Sequence, residues 1–195
     1  MSRSPEARPL HCLDDAAARA EACRLAATAH ARWAKHATWF GFTEPDAQPP
    51  LEDSPFAVGM LALFRYARGE AVPPFIVRSV LDDLLELLFG GLASPALGLP
   101  PWRRMGDRPW ALAWRAAELR LLVESEEPVE ASVLAHLLGW NRSRLEAELL
   151  AVGLAPDGDG QLESARIRGL VQLAYAALLG GGELEGHSLA RENDA

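Results

Sequence analysis

The chain has 195 residues, 49% apolar and 24% charged, enough for one large domain or two small ones with a buried core. Its net charge of −8 excludes a broadly basic, nucleic-acid-coating surface, and neither half is basic: 9 Lys+Arg face 12 Asp+Glu up to residue 100, and 10 face 15 beyond it. Cys12 and Cys23 are too few for a disulfide scaffold, and one helix would hold them about 16 Å apart, so they read as free thiols in a reducing, cytoplasmic setting.

The apolar content is mostly Ala and Leu, with few β-branched residues, which predicts a mostly α protein. Residues 1–12 are expected to be disordered, and no apolar stretch behind the first residues suggests a signal peptide. Asp14 or Asp15 caps a first helix running to about Thr38, with Glu21, Arg24 and Thr28 on one side and Cys23, Ala26, Ala27 and Trp33 on the other. A proline-rich connector follows. Ser54-Pro55 then opens a second helix that stops at Gly69. Pro73-Pro74 precedes a third helix, about Phe75–Phe89, with Arg78, Asp82, Asp83 and Glu86 as its polar stripe. That helix is expected to be the core element of an N-terminal three-helix unit, residues 13–90. Residues 91–106 form a Pro/Gly-rich linker.

The second unit, residues 107–180, opens with Asp107 as cap of a helix from about Arg108 to Ser125. A short helix, about Val129–Leu138, stops at Gly139; Asn141 caps another, about Arg142–Val152, that stops at Gly153. After Leu154, APDGDGQLE has the composition of a tight turn joining two short strands. Ser164 caps a last helix to about Leu179, and residues 181–195 read as a disordered tail. No apolar run approaches the roughly 18 residues of a membrane span.

The stretch EEPVEASVLAHLLGWNRSRLEAELLAVGLAPDGDGQLE, residues 126–163, resembles a winged helix-turn-helix, with a β-hairpin wing led by Leu154. Its opening is also similar to winged-helix modules of chromosome-organising proteins. The resemblance covers less than a third of the chain. It implies either of two roles. In a DNA-binding transcriptional regulator, Asn141, Arg142, Ser143 and Arg144 would meet base edges, and Arg103, Arg104 and Arg108 would hold phosphates. In an acidic adaptor or assembly factor, the same module would meet another protein or a second copy through Trp102 and Trp140, with the leucine-rich helix 75–89. The first role requires an exposed cationic edge; Glu146 and Glu148 at helical spacing, and Asp157 and Asp159 in the turn, oppose it.

No enzyme site, metal site or cofactor motif is expected. Asp82-Asp83-Leu84-Leu85-Glu86 resembles the aspartate-rich motif of isoprenoid synthases, but no second acidic motif accompanies it, and a solvated face with Arg78 paired to Asp82 is the favoured reading. His11, Cys12, Cys23, His30 and His36 lack the close pair a zinc site needs. His136 has no neighbouring nucleophile in sequence.

Overall fold

The computed structural model describes residues 10, 14–39, 51–89, 108–125 and 127–180, without the side chains of 32–33, 35–39, 51 and 85–89. The expected disordered end (1–12, apart from Leu10), the linker 91–106 with Trp102, Arg103 and Arg104, the cap Asp107 and the tail 181–195 lie outside it. Among the described residues are seven α-helices and one two-stranded antiparallel sheet: α1 Asp15–Trp39, α2 Pro55–Ala67, α3 Pro74–Phe89, α4 Pro109–Glu124, β1 Val129–Glu130, α5 Ala131–Leu138, α6 Arg142–Ala151, β2 Gln161–Leu162 and α7 Ser164–Gly180. None of these helices is long and apolar enough to cross a membrane.

Local chemistry sets most boundaries. Asp14 accepts the Ala17 N–H at 2.8 Å and starts α1. Ser54 accepts the Ala57 N–H at 3.2 Å, with Pro55 as first helical residue of α2. Asn141 accepts the Arg144 N–H at 2.8 Å and starts α6. Gly139, at φ 70°, ends α5 in the left-handed region that costs a side chain energy.

The helix expected to be the core element of the first half, α3, buries one stripe of its described side chains. On α3, the described buried side chains are Val77, Leu81 and Leu84, while Phe75 is 74% exposed. The centre is α4, whose Trp110, Ala111, Ala113, Trp114, Ala116, Ala117, Leu119 and Leu121 are buried around the whole circumference. It packs most extensively on α7 and α2, so both halves of the chain share one continuous core. The expected N-terminal helices therefore rest on the second unit. On α1 the buried stripe is Ala18, Ala22, Leu25, Ala26 and Ala29, with Ala27 exposed and Cys23 only partly buried. That rotation from the expected face arises because alanines surround the helix and do not mark one side.

Polar contacts lock this arrangement. Arg120 donates to the carbonyls of Tyr66 at 2.7 Å and Glu70 at 2.8 Å, beyond the end of α2, and lies 4.1 Å from the centre of the Tyr66 ring. The Tyr66 hydroxyl donates to Glu124 at 2.6 Å, and the Tyr175 hydroxyl of α7 donates to the Ala67 carbonyl at 2.9 Å. Burial and the Glu124 carboxylate push the Tyr66 phenol upward. Asp15 bridges Arg65 and Arg68, which places the start of α1 beside the end of α2 and makes the two antiparallel; these hydrogen bonds lower its carboxyl to about 2.

The second half departs from the expected hairpin. Val129–Glu130, expected to be helical, is a strand, with Val129 opposite Leu162 and Glu130 opposite Gln161. The strands close the sheet across α5 and α6 rather than across the turn, and no strand begins at Leu154 among the described residues. The Asp-Gly turn is present: Asp157 accepts the N–H groups of Asp159 at 3.0 Å and Gln161 at 2.8 Å. Ser164 does not cap α7. Its hydroxyl donates to the Glu127 carbonyl, and Glu163 supplies the first helical acceptor instead.

Candidate interaction surfaces

Two surfaces stand out, one charged and one apolar. The charged one is the first turn of α6. Leu145 and Leu149 are its only buried side chains, so the opposite face looks outward. Asn141, Arg142 and Ser143 are exposed there, and Arg144 is half-buried. Three of the four are already engaged. The Asn141 side chain is spent on the cap. Arg142, 83% exposed, donates to Glu146 at 2.6 Å, which holds its guanidinium above the ordinary range. Arg144 lies 4.5 Å from the centre of the Trp140 ring. Trp140 itself is 7% exposed and serves as the floor under Arg144, not as the expected partner anchor. Arg108 is exposed at the start of α4, where its side chain makes no cap.

Behind this edge, Arg115 of α4 donates to the Leu137 carbonyl at the end of α5 and so fixes the turn. His136 sits edge-on to Trp114, with ring centres 6.2 Å apart. Burial first, then the Arg115 charge, pulls its imidazole down to about 4, so it is neutral at physiological pH.

The apolar surface is a groove of about 770 Å³ between the N-terminal halves of α2 and α3. Phe56, Val58, Phe75, Ile76 and Val80 line it, with Asp83 at its rim. Phe75 and Val58 are 74% and 57% exposed. The groove floor is thin because Gly59 lets α3 approach: a Cβ there would meet Val80 Cγ2 at 2.8 Å. The sequence reading of helix 75–89 as both core element and partner-binding helix does not separate its two faces. The spacing does: Phe75 lies two residues, roughly 200°, from the buried Val77–Leu81–Leu84 stripe.

Arg78 reaches Glu127 at 3.8 Å rather than Asp82, so the acidic DDxxE face is not paired as expected. Of the metal-type residues near the N-terminus, Cys23 and His30 are described and partly buried; no group of three or more such side chains is close enough to hold a metal ion among the described residues. No family model, no curated protein and no solved structure matches this chain.

Proposed function

We propose that the chain is an acidic, mostly helical adaptor that binds another protein through the groove between α2 and α3. The observation that carries this reading is the adjacency of Phe75 and Val58 on one concave apolar face, both largely exposed. Burying such side chains stabilises a complex by about 1.5–3 kcal/mol each, and aromatic anchors of this kind concentrate binding energy. Charge favours a partner segment that is apolar with a basic residue opposite Asp83, which is exposed at the rim. A second copy of the chain would bring its own net charge of −8 to the same face and be repelled.

The test starts with a photoreactive amino acid at Val58, which identifies the cross-linked protein; the purified pair is then titrated. Phe75→Asp is expected to weaken binding about 100-fold, the scale of a lost aromatic anchor, with the thermal midpoint of the free chain unchanged. Arg142→Ala with Arg144→Ala is expected to leave binding intact. Affinity insensitive to Phe75→Asp, or sedimentation of the chain alone as a dimer through this face, overturns the reading.

A second reading rests on a different observation, the exposed first turn of α6. The order α4, β1, α5, α6, β2, with the Gly139 bend between α5 and α6, supports a winged helix-turn-helix arrangement. In that reading Asn141, Arg142, Ser143 and Arg144 meet a DNA groove and Arg108 a phosphate. Glu146 on Arg142, and exposed Asp157 and Asp159 in the adjoining turn, weigh against it. A gel shift at low salt that finds no complex removes it.

A further inference from the structure

The walls of the groove between α2 and α3 are two helix faces. On α3, Phe75, Ser79 and Asp83 follow one another at four-residue spacing, so the lining runs two turns, about 12 Å, along one side of that helix. Val58 and Gly59 of α2 face it. Both walls use their own backbone groups. Pro55 and Pro74, the first residues of the two helices, carry no N–H. Ser54 accepts the Ala57 N–H at its hydroxyl and the Val58 N–H at its carbonyl, and the Pro73 carbonyl accepts the Ile76 N–H. No residue lining the groove lies on a strand. The charge is of one sign. Asp83 is the only charged residue in the lining among the described residues, and the exposed Glu52 and Asp53 lead into its Ser54 end.

These features select the conformation of an occupant. An extended segment buried here would bring N–H and C=O groups that need partners, and it would find no sheet edge to pair with. An α-helix satisfies its own backbone. Its side-chain ridges, at three- and four-residue spacing, fit the furrow between two other helices. The carboxylates favour lysine or arginine beside its apolar face. The chain's own residues 181–195 are a poor match, with Glu183, Glu185, Glu192 and Asp194 against Arg191.

We infer that the groove holds a basic amphipathic α-helix of a partner protein. Apolar side chains at positions i, i+3 or i+4, and i+7 would sit between Val58 and Phe75, with lysine or arginine towards Asp83 and Asp53. The inference rests on the adaptor reading and adds the conformation and charge of the partner segment.

Selection of binders to the full chain from a random library of peptides about 16 residues long, roughly four helical turns, tests it. The recovered peptides are expected to carry the apolar spacing with lysine or arginine beside it, and to gain helix by circular dichroism on binding. Phe75→Ala, at a position 74% exposed, is expected to weaken them about 100-fold and Asp83→Lys about tenfold. Peptides that remain non-helical when bound, or that tolerate glutamate for every lysine and arginine, overturn the inference. If Phe75→Ala still weakens such peptides, the adaptor reading stands without it. Peptides indifferent to Phe75→Ala overturn both. A photoreactive residue at Val58 that cross-links to a second copy, or to residues 90–107 of its own chain, in place of the peptide also overturns the inference.

Discussion

The groove between α2 and α3 and the outer edge of α6 are both exposed, yet they differ in what they leave unfinished. On α6, each positive group finds a partner within its own helix or beside it: Arg142 has Glu146, and Arg144 has the Trp140 ring. In the groove, Phe75 and Val58 have no such internal cover among the described residues. A charge in water is well solvated and loses little by remaining there, whereas an apolar side chain in water is a standing cost that only burial relieves. An exposed residue points to a partner through what its surroundings fail to supply. A cationic label in the sequence is weaker evidence than an uncovered ring in the structure.

The largest expected effect tests the base of the groove. Gly59→Leu forces carbon into the space held by Val80, whose Cγ2 would lie 2.8 Å from even the first added atom. Overpacking of this kind costs about 3 kcal/mol, and chemical denaturation should read a loss of that size. If stability is unchanged, α2 and α3 are not held as close as the groove geometry requires.

Next in size is the pH response of Glu118 on α4, which shares one cleft with Arg78 and Asp82 of α3. Glu118 has its folded-state carboxyl raised from 4.5 to about 7, so the folded chain holds a proton that the unfolded chain releases earlier. Stability is therefore greatest below pH 4.5 for this group, falls as pH rises towards 7, and stays lower above it. Glu118→Gln removes that slope. The variant should be more stable than the wild type by roughly 2–3 kcal/mol at pH 8 and by nothing at pH 4. Thermal melts across this window check the sign; a difference that grows towards low pH contradicts a raised Glu118 carboxyl.

A smaller effect tests the turn that positions the α6 edge. Gly139→Ala places a side chain at φ 70°, with its Cβ 3.2 Å from Arg115 Nη2. The left-handed conformation alone costs alanine about 1 kcal/mol. Denaturation should show that loss, while partner binding at the groove remains.

Much of this architecture was legible in local residues. Ser54-Pro55, Asn141 and Gly139 each carry one strong stereochemical instruction, and each does in the fold what its type dictates. The failures came where a residue type is compatible with several neighbours. Alanines all round α1 left its buried face undetermined. Val129–Glu130 pairs with residues more than thirty positions away, and nothing in its own composition separates a strand from the start of a helix. Ser164 has a capping residue's chemistry but finds the Glu127 carbonyl, a tertiary partner, first. The candidate surfaces were harder still. Trp140, aromatic beside polar residues, reads in sequence as an anchor, but it is 7% exposed.

The smallest expected effect is the one that bears on the charged edge. Arg142 is 83% exposed and Glu146 49%, so their 2.6 Å contact lies in high dielectric and is screened by salt. Arg142→Ala should leave the thermal midpoint within experimental scatter, and Glu146→Ala should do the same. The informative measurement is then the double comparison on DNA. If α6 reads a groove, Glu146→Ala frees a cation beside Asn141 and should strengthen binding at low salt, while Arg142→Ala should weaken it and flatten the salt dependence. If α6 only packs, neither substitution changes anything that a gel shift reads. Opposite signs from the two halves of one ion pair would move the functional centre of this molecule from the apolar groove to the α6 edge; equal silence keeps it in the groove.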